Sequence, residues 1–136
     1  MAYMSQERKA QLAPQIKKIL AKFKMKGSIS VDNHSTLCVN LKSGSLDIIG
    51  NFNKTIADRD PTGNSHINPA RDHLLVNTYW IGDHYSGKVQ SFLKELVAAM
   101  NIGNHDRSDI QTDYFDVGWY VRVNVGKWNK AYLLTA

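Results

Sequence analysis

A single cysteine stands among the 136 residues. Cys38 has no internal disulfide partner, and metal sites built on paired cysteines are excluded. It sits in an apolar, strand-like run, which favours a packed, inert thiol over a nucleophile. No run of about 18 apolar residues occurs, so no membrane span is expected. The N-terminus is polar and basic and lacks the apolar core of a secretory signal. A soluble, cytoplasmic protein is the expectation. Internal repeats, linkers and low-complexity tracts are also missing.

Catalytic signatures are equally scarce. Five histidines are present, His34, His66, His73, His84 and His105, but none forms an HxxxH pair on a helix or an HxH pair on a strand. Zinc needs three or four convergent ligands, usually at recognisable spacing, so no metal and no cofactor are expected. The stretch from Gly82 to Gly87 includes Ser86 and precedes Lys88, but lacks the spacing of a phosphate-binding loop. The run His105-Asp106-Arg107-Ser108-Asp109 has residue types suited to phosphate or proton chemistry. The same run reads as a hydrated loop between a helix and a strand. A Ser–His–Asp triad can be drawn from almost any chain of this length, and none is assigned.

What is present is enough for a core. An apolar share of 43% and an aromatic share of 10% argue against disorder and for one domain spanning residues 1–136. The net charge of +5 is unevenly placed. Residues 1–26 carry Arg8, Lys9, Lys17, Lys18, Lys22, Lys24 and Lys26 against Glu7 alone, a surplus of six, and the rest of the chain is one charge negative. A localised basic stripe suits a nucleic acid or an acidic protein. It equally suits a solvated helix face.

The chain is organised around Asp113 to Trp128, DYFDVGWYVRVNVGKW. Trp119, Val121, Val123 and Val125 point one way, and Tyr120, Arg122 and Asn124 the other. Period two with β-branched and aromatic residues marks a central strand with one buried face. Before it, Leu12, Ile16, Ile19, Leu20 and Phe23 recur at helical spacing, predicting a helix from about 5 to 24. Ser5 is its N-cap, Pro14 lies inside it and Gly27 ends the connection. Ser28 to Asp32 and Thr36 to Lys42 alternate around the turn residues Asn33, His34 and Ser35, which predicts a hairpin. Leu46 to Ile56 fits a short helix. Ala57 to Asp72 is irregular, and His73 to Ile81 returns to strand character.

Val89, Phe92, Leu93, Leu96, Val97 and Met100 form an apolar helical stripe, capped by Asp83 or Ser86 and ended at Gly103. Asn104 to Thr112 reads as a polar loop, and Tyr132 to Leu134 as a short edge strand. The expected fold is α+β, a mainly antiparallel sheet of four to five strands with two main helices packed on one face. Its expected core is Ile16, Leu20, Val31, Val39, Val76, Phe92, Leu96, Trp119, Val121 and Val123.

If helices cover one face, the other carries Asn40, Lys42, Asn77, Tyr79, Tyr120, Arg122 and Asn124. Tyrosine and arginine offer planar contact area with hydrogen bonding, which suits recognition of proteins or of unpaired bases. An ordinary wet sheet face with cross-strand tyrosines accounts for the same composition, and the RNA-recognition-motif consensus is absent. The candidate binding residues are therefore Lys17, Lys18, Lys22, Lys24, Lys42, Tyr79, Tyr120, Arg122 and Asn124.

The helix with KKILAKF, the hairpin SISVDNHSTLCVNLKSG and the strand DYFDVGWYVRVNVGKW carry a likeness. In them the chain resembles small phage proteins related to the large polyvalent protein associated domains of phages and conjugative elements. The similarity covers residues 1–50 and 112–128, and the Ala57 to Asp72 segment has no counterpart. The resemblance implies delivery with mobile DNA and a counter-defence or host-takeover role, and supplies no catalytic residues. Three functions follow as expectations. The first is a non-enzymatic accessory protein that binds a host factor. The second is a nucleic-acid-binding domain using the basic helix and the sheet face. The third is a small hydrolase or nuclease using the loop at His105.

Overall fold

The computed structural model describes residues 3–59, 73–78, 81–102, 104, 119–126 and 130–135. Helix α1 runs Gln6–Lys22, and the Ser5 side chain accepts a hydrogen bond from the Arg8 backbone N–H, as an N-cap should. Pro14 is accommodated without ending the helix. Beyond the C-cap at Phe23, Lys24 takes the left-handed conformation with φ 57°. The helix therefore stops at Lys22, and Gly27 lies inside the next strand instead of closing the connection.

Strand β1, Met25–Asp32, pairs antiparallel with β2, Thr36–Gly44. Asn33 and His34 both have positive φ, and the Ser35 N–H bonds the Asp32 carbonyl, the backbone pattern of a primed hairpin turn. A bulge at Lys26/Gly27 shifts the register, so Lys42 is the extra residue on β2. A side chain on Gly27 would run into the Asn40 carbonyl. Close backbone approach explains that glycine.

Helix α2 occupies Ile48–Arg59, three residues past the expected end, and the Asp47 carboxylate accepts from the Gly50 N–H at its start. Strand β3 is only Leu74–Val76. The expected strand to Ile81 fails because Ile81 begins a four-residue helix, α3, Ile81–His84, with its side chain buried. Helix α4, Gly87–Met100, buries Val89, Phe92, Leu93, Leu96, Ala99 and Met100. Ser86 holds its N-cap position but makes no capping bond. Its Oγ is engaged by Asn51 and Thr55 of α2, and its N–H donates to Asn51. Gly103, the proposed stop of α4, lies outside the described residues. Strands β4, Tyr120–Val125, and β5, Leu133–Leu134, complete the order.

The sheet runs β1-β2-β4-β3, with β5 beside the end of β2. It is mixed, which corrects the mainly antiparallel expectation. Strands β4 and β5 both run parallel to β2. More than 70 residues separate β2 from β4, with α2, β3, α3 and α4 between them, well beyond the dozen or so that a parallel crossover requires.

The inward residues Leu37, Val39, Leu41, Val123, Val125 and Val76 join Ile16, Leu20, Phe92 and Leu96 in one apolar cluster. The Phe23 and Phe92 rings meet edge to face at 5.1 Å. Trp119 is buried at the start of β4, and its indole N–H donates to the Met100 carbonyl. Val31 and Val121, expected in the core, are only partly buried against it. Met4, Met25, Ile48, Tyr85 and Tyr132 are buried members that the periodicity alone did not mark.

Candidate binding face of the sheet

Alternation sends a second set of side chains away from the apolar cluster. The register places Asp32, Thr36 and Tyr120 in one row across β1, β2 and β4. Ser30, Cys38 and Arg122 form the next row, and Ser28, Asn40 and Asn124 the third, with Leu75 of β3 beside Asn124. Lys26 and Lys42 are exposed at the far end of this face, by the bulge.

The rows are tied together by side-chain bonds. Asn124 Nδ2 donates to Asn40 Oδ1 at 2.9 Å, and Asn40 Nδ2 donates to Ser30 Oγ at 3.1 Å. One polar ladder thus crosses three strands. Arg122 Nη1 donates to Asp32 Oδ2 at 2.8 Å, reaching diagonally over β2. Beneath that bridge Cys38 is buried although it lies on this face. Burial pushes its thiol pKa up, the Arg122 cation opposes that, and Asp32 adds to it. A raised thiol pKa means little thiolate at neutral pH, which fits a packed cysteine and not a nucleophile.

Tyr120 stands clear of these bonds, with half of its surface (51%) exposed, and Leu75 is 60% exposed at the other edge. Between them a groove of about 430 Å³ opens where β3 parts from β4, lined by Thr36, Leu75, Asn77, Tyr120 and Arg122 among others.

The candidate residues fall on two surfaces. Tyr120, Arg122, Asn124 and Lys42 belong to the sheet. Lys17, Lys18, Lys22 and Lys24 are exposed along and just after α1, whose buried side is turned to the apolar cluster. Lys22 is engaged there, its ammonium 2.7 Å from Glu95 of α4. Tyr79 lies outside the described residues, as does the run His105 to Asp109.

Sequence reasoning missed Asp32 and Ser30 as members of the sheet face. The signal was present, since both alternate with Ile29 and Val31, but their partners are set by a register that no local pattern reveals. Of the histidines, His34 sits in the hairpin turn, His73 is exposed and His84 packs edge-on to Phe52. Among the described residues no group of three or more His, Cys, Asp or Glu side chains converges on a metal-sized site. None of their helices is long and apolar enough to cross a membrane.

No protein-family model, no curated protein and no solved structure matches the chain. Function therefore has to be read from this geometry.

Proposed function

We propose that this chain is a non-enzymatic binding protein, an accessory factor of a phage or mobile element that engages a host macromolecule from the host cytoplasm. In this reading α1 and α4 back one face of the sheet and leave the other for recognition. One observation carries it. An exposed tyrosine stands beside an arginine and two asparagines whose side chains are already held by neighbours. Pre-ordered groups lose less rotamer entropy when a partner arrives, so such a face binds with less of the cost that mobile side chains incur. Tyrosine and arginine are also the residue types that dominate binding energy where they are used.

Chemistry is not what this face supports. Its cysteine is covered, and its one carboxylate among the described residues is paired with an arginine. A general base or nucleophile would have to come from elsewhere in the chain. The test is capture of partners from host lysate by the wild type and by a Tyr120→Ala/Arg122→Ala variant. The reading expects the double change to abolish capture while the thermal melt stays within a few degrees of wild type.

The second reading, duplex binding by the basic helix, draws on the exposed Lys17, Lys18 and Lys24. Its signature is loss of duplex affinity and a flatter salt dependence on changing those lysines to glutamine.

A further inference from the structure

We infer that the partner of the sheet face is single-stranded nucleic acid, with an unpaired base stacked on Tyr120 and the backbone running toward Lys26 and Lys42. This rests on the sheet face being the working surface, and it names what that surface takes.

Polarity comes first. Across its rows the face carries Ser30, Asp32, Asn40, Arg122 and Asn124. The centre of a protein–protein interface is depleted in charge and enriched in apolar and aromatic area. Nucleic-acid interfaces are more polar and markedly more positive. Three exposed apolar groups lie on the described part of this face: Leu75 and Tyr120 flank the groove, and Leu133 stands in the row of Lys26 and Ser43 at the far end, so they do not form one patch.

Charge points the same way. Lys26, Lys42 and Arg122 are cationic, and the single described anion on the face, Asp32, is held by Arg122. The Arg122 side chain is 42% exposed, and its guanidinium has donors beyond the one given to Asp32 with which to make a second contact.

Geometry then selects single strands over duplex. Duplex is read by an element that enters a groove, whereas a sheet surface presents flat rows of side chains. Tyr120 supplies a ring face for stacking, which any base accepts. Asn40 and Asn124 each have amide groups left over after the ladder bonds, since an asparagine can donate twice and accept twice. Paired amides at strand spacing suit the exposed edges of unpaired bases. The groove of about 430 Å³ beside Tyr120 lies within the size range of small-ligand sites, so it can seat a base.

The probes are fluorescein-labelled single strands, an oligo-dT and a mixed-sequence RNA, with a duplex of the same length as comparison, followed by anisotropy. The wild type should prefer both single strands to the duplex. Tyr120→Ala should weaken single-strand binding by about 5- to 150-fold, and Tyr120→Phe should hold it to within about twofold, because the ring remains. Lys26→Gln with Lys42→Gln should flatten the slope of log affinity against log salt by about 1.4, at about 0.7 per phosphate contact. Changing Lys17 and Lys18 to glutamine should leave the single-strand affinity unchanged.

Tyr120→Ala binding at wild-type affinity, or duplex bound better than single strands, overturns the inference. If no oligonucleotide binds, yet Tyr120→Ala/Arg122→Ala loses a nuclease-resistant host protein, the nucleic-acid inference falls while the sheet-face reading stands. If the double change alters neither, both fall. Tyr120 is a surface side chain, and the Phe variant guards against a folding artefact.

Discussion

Arg122 Nη1 lies 2.8 Å from Asp32 Oδ2 although their strands are not neighbours, because β2 runs between them. The arginine crosses the central strand and roofs Cys38. Half-exposed as it is, the ion pair contributes only about 0–1 kcal/mol to stability. Its consequence is local order. Arg122→Ala should therefore leave the melt nearly unchanged but uncover the thiol. Alkylation of Cys38 in the native protein should accelerate, because exposure relieves the desolvation that chiefly raises its pKa and outweighs loss of the cation that lowers it. A rate equal to wild type would show that the guanidinium is not what covers it.

Phe92 tests the core. It is fully buried and stacked edge-on against Phe23, joining α4 to the end of α1. Phe92→Ala should cost about 3–5 kcal/mol in denaturant melts. A loss under about 1 kcal/mol would mean that α4 does not pack as described.

Two buried tyrosines should respond to the same substitution with opposite signs. The Tyr132 hydroxyl donates to the Leu46 carbonyl at 2.7 Å, tying β5 to the segment before α2. Tyr132→Phe should cost about 0.5–1.5 kcal/mol at neutral pH. The Tyr85 hydroxyl is buried with no hydrogen-bond partner among the described residues. Tyr85→Phe removes an unsatisfied group and should be neutral, or stabilising by up to about 1 kcal/mol. Chemical melts of the two variants side by side make the comparison; destabilisation by Tyr85→Phe would count against the orphaned hydroxyl.

The same tyrosines set an alkaline limit. Burial, helped by Asp47, pushes Tyr132 up to about 12, and burial alone pushes Tyr85 upward. Both titrate higher when folded than when unfolded. The stability this contributes is fully present below the unfolded value of about 10 and is lost as pH rises through the folded values. Wild-type stability should fall from pH 10 upward, and each Tyr→Phe change should make that fall shallower. An unchanged alkaline slope in the double variant would contradict the assignment.

Much of the fold could be read in the sequence, and the unread part has a common cause. Helix α1, its Ser5 cap, the β1–β2 hairpin, the stripe of α4 and the alternation of β4 are local patterns. Parallel pairing of β2 with β4 is not local, and neither is the bulge that sets Lys42 apart. Strand β3 was overestimated because the β-prone run from Leu74 to Ile81 reads as one strand, whereas the described strand ends at Val76 and Ile81 is buried at the start of a short helix. On the candidate face, alternation marks Tyr120, Arg122 and Asn124 correctly as outward. That Arg122 answers to Asp32 and Asn124 to Asn40 depends on register, which only the assembled sheet supplies. The lysines of α1 were grouped with the sheet residues by composition, and the structure separates them.

The most direct measurement is partner capture from host lysate, with and without nuclease, by three proteins: the wild type, Tyr120→Ala/Arg122→Ala, and Lys17→Gln/Lys18→Gln/Lys24→Gln. If the sheet face is the working surface, the first and third capture the same partner and the second does not. Capture that survives the loss of Tyr120 and Arg122 but disappears with the three lysines would contradict it and move the function to the basic helix.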